Sequence, residues 1–459
     1  MAIGPDYKSG LIALNRFGFG ARGGSSDDLA SAASDPRGFI KAELARPNVA
    51  LLQSTGLQSA AENLRKLFAY RAELQRVRRA AGGEKEPDDA FIQATYRSEV
   101  LARYQRQFSA DPGFVERLTA FWSNHFCVSI SKDQTQRVTA GAFEREAIRP
   151  HVLGRFADML RAVEQHPTML HYLDNQLSFG PGSPAGRNRK VGLNENLARE
   201  ILELHTLGVD GGYAQADVTS LARIITGWTY GGPQRGNGEA GAFLFLANAH
   251  EPGAHDLLGK TYAADGVRQG EQALDDIARH SSTAKFIATK FARHFVADHP
   301  PPALVAKLAD VFRKTDGDLR ALTFALVDDD EAWTAPLTKM RSPQEFLMAT
   351  TRLLGRMPES PLPMNGALQQ LGHFVWQPPG PNGYTDRADA WASPEGMKLR
   401  LDVAMQIARR IASPPDANDL LDVALGPAAS QETRDAVRRA ESKQQALALL
   451  FMSPEFQRR

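Results

Sequence analysis

The chain has 459 residues, 42% of them apolar and 23% charged, the balance of an ordinary soluble globular protein with two or three domains or one large helical body. Lysine and arginine number 54 against 53 aspartates and glutamates, so no net field selects nucleic acid or an acidic membrane. The single cysteine, Cys127, excludes an intramolecular disulfide and a cysteine-based zinc site, and no run of about 18 apolar residues predicts a membrane span.

Taken in order, the first 24 residues lack a basic stretch followed by an apolar one, so no secretory signal is expected. One cysteine suits the cytosol without excluding the periplasm. The Gly-rich "GFGARGG" (18–24) resembles a phosphate loop only superficially, because no strand precedes it. "AAGGEKEPDDA" (80–90) reads as an exposed loop. In "LTAFWSNHF", Leu118, Phe121, Trp122 and His125 share one helical face, while Cys127, two residues beyond, does not face His125. "HPTMLHYLDNQ" (166–176) places Met169, Leu170 and Leu173 inward and His171, Asp174 and Asn175 outward, making His171 and Asp174 a candidate base with its orienting carboxylate.

A loop at 178–192 leads into "NENLAREILELHTLG" (194–208). Helical geometry puts His205 within the apolar arc and opposite the glutamates, which disfavours one metal ion held by Glu200, Glu203 and His205. Asn194 is the expected N-cap, and Glu195, Arg199 and Glu203 are spaced for an exposed ion-pair ladder. Asn196 and Glu200 form a second polar stripe that the ladder does not explain. "VTSLARIITGW" (218–228) continues the helical pattern, and "AFLFLAN" (242–248), inside a Gly-rich stretch, is the best strand. His250, His255 and Asp256 of "HEPGAHD" fit turn chemistry better than a metal site. "FIATKFARHFV" (286–296) carries His294 on an apolar face; His125, His205 and His294 would hold a metal if three helices brought them together. Ser342-Pro343, Ser393-Pro394 and Ser453-Pro454 open three later helices, with Glu345 placed to complete a capping box. The aromatic, Pro-rich stretch 372–394 is expected to pack across the body.

These patterns predict a mainly α protein: a large multi-helix body over 1–339, a C-terminal helical part over 340–459, long loops, and at most a small β excursion near 240–262. They place a candidate pocket at the 178–200 loop-helix junction. Glu200, His171, Asp174 and His125 are its catalytic candidates, and Asn194, Asn196, Asn175 and Arg199 its substrate-binding ones. The expected chemistry is hydrolytic or assisted by a divalent or transition metal.

"LNRFGFGAR", "FWSNHFCVS", "MLHYLDN", "GLNENLAREILELHTLGVDGGYAQADVTSLARIITGW", "HEPG", "FARHFV" and "FMSPEFQRR" occur in this order and resemble the bacterial domain-of-unknown-function 1800 family over essentially the whole chain. The resemblance implies no established reaction. Members are often encoded beside an alkaline-phosphatase-like family (domain-of-unknown-function 1501) that carries an export signal. It therefore implies an alternative to catalysis: an accessory protein that docks on such a partner, in the cytoplasm or co-exported to the periplasm. Two residues depart from the family pattern. Ala214 stands where a threonine often precedes "QADV", removing the hydroxyl half of a capping box, and His255 stands where lysine or another residue is expected.

Overall fold

The protein is described from a computed structural model covering residues 5–24, 27–52, 54–80, 86–187, 192–233 and 238–459. Among these residues the chain forms 25 α-helices and two small two-stranded sheets. Many helices are short, and their ends follow local chemistry. Ser342 caps the Pro343–Leu354 helix and completes the expected capping box with Glu345, while Ser393 and Ser453 cap the helices Pro394–Arg409 and Pro454–Gln457. At Ala214 only the Asp217 half survives, its carboxylate accepting the Ala214 amide at 2.8 Å.

The β excursion lies where the sequence placed it, but with an unforeseen partner. Phe243–Phe245 pairs antiparallel with Trp228–Tyr230, and His255–Leu257 pairs with Lys260–Tyr262. The helix through "VTSLARIITGW" stops at Ile224. Gly227, at φ +82, turns the chain so that Trp228 opens a strand.

One apolar core runs from Ile12 to Trp333, and a second joins Phe19, Val100 and Tyr104 to side chains between Phe346 and Phe456. Buried arginines tie the segments together by donating to backbone carbonyls that no helix or sheet satisfies. Arg16 reaches the carbonyls of Ala332 and Ala335, Arg352 those of Gly20, Phe108 and Ala110, and Arg341 that of Phe456 and the side chain of Asn15. Arg149, wholly buried, holds Glu116 through two bonds of 2.7 and 2.9 Å and also holds Glu144. No helix among the described residues is long and apolar enough to cross a membrane.

Candidate functional site

The helix expected over 194–208 is two pieces. Asn196–Glu200 is α-helical, and Ile201–His205 is a wider π turn. Asn194 caps this start, its side-chain oxygen accepting the Asn196 amide at 2.9 Å. Asn196 itself is exposed. Arg199 pairs with Glu195 at 3.1 Å, but its other bond goes to Gln215, and Glu203 meets Tyr213 instead, so the three-residue ladder does not form. Glu200 is half-buried and, among the described residues, makes no hydrogen bond or ion pair. Burial raises its carboxyl above the usual range, with His205 opposing and Glu203 reinforcing the shift.

The His171–Asp174 dyad is not formed. His171 Nε2 meets Asp133 at 2.8 Å and its Nδ1 meets the Tyr230 hydroxyl at 2.8 Å, while Asp174 pairs with Lys132 at 2.6 Å. Asp174 sits at φ +58, beyond the end of the Pro167–Tyr172 helix, so the spacing that would set it beside His171 is lost. Burial works against ionisation of Asp133, yet contact with His171 brings its carboxyl down to about 2. Asn175 is buried and structural: its amide donates to the carbonyls of Ile225 and Trp228.

The three histidines do not form a ligand set, although the His125 and His205 rings lie 6.3 Å apart. His125 Nε2 donates to the His205 carbonyl at 3.0 Å, His205 Nδ1 meets buried Glu164 at 2.8 Å, and His294 Nδ1 meets Asp386 at 2.7 Å. Buried as it is, His125 is driven well below the ordinary imidazole range. Among the described residues no group of three or more His, Cys, Asp or Glu is arranged to hold a metal ion. In "HEPGAHD", His250 Nδ1 bonds the Thr226 carbonyl, and His255 and Asp256 lie on a strand.

A better-formed site lies across the Cys127–Asp133 segment from this junction. Two helices supply its walls: Phe114–His125, which turns Phe121 and Trp122 inward, and Ser281–Phe295, which buries Ile287, Phe291 and Phe295 and leaves Lys290 and Arg293 on its other face. The third wall is the 372–391 stretch, which packs across the body as its composition suggested. The Asn124 side chain pairs with the Tyr384 backbone through two 2.8 Å bonds. The Tyr384 hydroxyl donates to the Gln377 carbonyl at 2.7 Å and accepts the Phe374 amide at 2.8 Å. The result is a cleft of about 730 Å³ lined by Lys290, Arg293, Arg387, Tyr384, Asp386 and Trp391, among others, within the range of small-molecule sites. A deeper chamber of about 90 Å³ continues to Arg117, His294 and Glu345.

The floor is electrostatically closed. Arg117 reaches Glu345 at 2.7 Å, Arg459 reaches it at 3.1 Å, and Lys339 pairs with Asp298 at 2.7 Å while donating to the Asp386 carbonyl. Burial opposes ionisation of Glu345 and Asp386, but Arg117 and Arg459 beside the first and His294 beside the second hold both well below the carboxylate range. His294 Nε2 faces Arg117 at 3.4 Å, so neither ring nitrogen is free. Lys290 differs: among the described residues its ammonium has no hydrogen bond or ion pair, only the Phe286 ring at 5.4 Å, and burial lowers its pKa against the opposing charge of Asp386. Arg293 donates only to the Asp298 carbonyl. Cys127, at the edge of the chamber, has its thiol pushed up to about 12 by burial, which leaves it inert as a nucleophile.

The sequence reading missed Lys290, Arg293 and Asp386. A signal existed: Lys290 and Arg293 stand three apart beside His294, opposite the apolar face of the same helix.

The model of the family described as "Protein of unknown function (DUF1800)" matches residues 12–458, and the chain belongs to that family. No curated protein and no solved structure matches it.

Proposed function

We propose that this DUF1800-family member binds a small anionic molecule, a carboxylate or a phosphate ester, in the cleft under the 372–391 segment. The observation that carries this reading is Lys290, an ammonium at the cleft with no carboxylate at ion-pair distance among the described residues, Asp386 acting on it only from farther off, three residues from Arg293, whose guanidinium also lacks such a partner. An unpaired, partly desolvated cation gains more from an incoming anion than one already neutralised. Asp386, the acid in the cleft, is already committed to His294.

The test is calorimetric titration with inorganic phosphate and citrate, with glycerol as the uncharged control. Salt-sensitive anion binding that weakens about tenfold or more in Lys290→Met, with an unchanged melting temperature, supports the proposal. Equal binding by wild type and variant overturns it.

A second reading keeps a hydrolytic enzyme at the 178–200 junction, with Glu200 as general base and Asn194 and Arg199 at its edge. It is favoured by the raised pKa of a half-buried Glu200 that makes no hydrogen bond. Docking on an alkaline-phosphatase-like partner would use the Arg199 and Glu203 face, and co-purification of the two proteins, lost on Arg199→Glu, is its test.

A further inference from the structure

A second cavity lies among the C-terminal helices, remote from the anionic-ligand cleft in its lining. It has a volume of about 510 Å³ and is framed by the helices Pro343–Leu354, Leu362–Gln370 and Pro394–Arg409. Its walls are mostly apolar, with Leu347, Leu354, Met364, Val403, Ile407 and Leu420, and Thr351, Gln370, Gln406 and Ser413 add neutral polar groups. Leu362, 51% exposed, is among the few large apolar side chains left open to solvent among the described residues. Pro358 lies in the short connection after the first of these helices, and Pro361 and Pro363 start the next one, Pro363 in its first turn where a missing N–H costs nothing.

The charge around this cavity is one-sided. Of the residues lining it, Arg356 and Arg410 are the charged ones, and no aspartate or glutamate is among them. Both arginines are exposed, and among the described residues neither guanidinium makes an ion pair or hydrogen bond. Some arginines elsewhere are matched, Arg22 with Asp28, Arg155 with Asp316 and Arg434 with Asp422, whereas exposed Arg97, Arg223 and Arg409 are not matched among the described residues, so it is the apolar cavity beside Arg356 and Arg410 that distinguishes them. An apolar interior with two unmatched guanidinium groups and no acid is complementary to a molecule with an aliphatic tail and an anionic head.

We propose that this cavity binds a single-chain aliphatic carboxylate, its tail against Leu347, Met364, Val403 and Ile407 and its head at Arg356 and Arg410. The ligand class follows from volume, apolar walls and uncompensated positive charge together. A flat docking face for a protein segment would need acidic or hydrogen-bonding complementarity along an extended groove, whereas here the charged groups of the lining are the arginine pair alone.

The experiment is titration of the full chain with dodecanoate below its micellar concentration, beside dodecanol, dodecyltrimethylammonium and acetate. The expected result is one dodecanoate per chain, bound about tenfold or more tighter than dodecanol, with no binding of acetate. In an Arg356→Gln, Arg410→Gln double variant, both changes being at exposed sites, dodecanoate affinity should fall to that of dodecanol while dodecanol is unaffected. Ile407→Trp, which narrows the cavity at its apolar wall, should weaken both. Equal affinities for dodecanoate and dodecanol, undiminished dodecanoate binding by the arginine variant, preference for the cationic amphiphile, or stoichiometries well above one would each overturn the proposal. Because Lys290 is not involved, Lys290→Met should leave dodecanoate binding intact.

Discussion

His373 offers a quantitative check on how tightly the 372–391 segment is packed. It is 7% exposed, its ring stacks on Tyr384 at 4.0 Å between centroids, and its Nδ1 is buried without a partner. Burial, aided by the positive charge of Arg103, brings its imidazole from 6.5 down to about 3. The folded state therefore keeps His373 neutral while the unfolded chain takes up a proton below pH 6.5. Stability is at its full value above that pH and is lost as pH falls toward 3. At about 1.4 kcal/mol per unit, the drop from pH 6.5 to 5 costs about 2 kcal/mol from this one side chain. His373→Phe retains an aromatic ring over Tyr384 but cannot titrate. Urea unfolding followed by tryptophan fluorescence at pH 7 and pH 5 should show wild type losing about 2 kcal/mol more than the variant. His125 and His294, also depressed by burial, act in the same direction in both proteins, so the difference isolates His373. Identical pH-dependent losses would refute the reasoning.

Three further outcomes are expected. Arg149→Met leaves buried Glu116 without its bidentate partner and strips one of the two arginines from Glu144, and should cost about 3–5 kcal/mol in chemical denaturation; a loss under about 1 kcal/mol would show that the network relaxes. Gly383→Ala places a methyl 2.5 Å from the Asn124 carbonyl oxygen at a residue with φ +76, so it should destabilise by about 1–3 kcal/mol and weaken anion binding in the same titration used for Lys290→Met. Glu200→Gln should leave stability at neutral pH unchanged or slightly raised, because a carboxyl whose folded pKa is raised contributes stability below its unfolded pKa and loses it as pH rises. Under the hydrolytic reading the same variant abolishes turnover in a hydrolase screen; full activity would remove Glu200 from that role.

Local signals in the sequence determined a good deal of this protein. The three Ser-Pro helix starts, the Ser342–Glu345 capping box, the inward face carrying Leu118, Phe121, Trp122 and His125, the strand within 242–248 and the mainly α class all follow from interactions between residues a few positions apart, which spacing alone encodes. His205 was correctly assigned to the core for the same reason. What the sequence could not decide were partnerships between distant segments. His171 has Asp174 three residues away but bonds Asp133, 38 residues back, because the helix ends first and the Lys132–Asp133 turn reaches it. The expected ladder at Glu195, Arg199 and Glu203 was dismantled by Gln215, Thr219 and Tyr213 arriving from the following segment. The cleft is the extreme case. Asn124, Lys290, Arg293 and Tyr384 become neighbours only once the 372–391 segment is pinned by Asn124 and by His294 holding Asp386. Whether a charged side chain is matched or left open to a ligand depends on which counter-charge the fold delivers. That is why His294 reads as a core residue with its needs met, while Lys290, one helical turn away, is left without a partner.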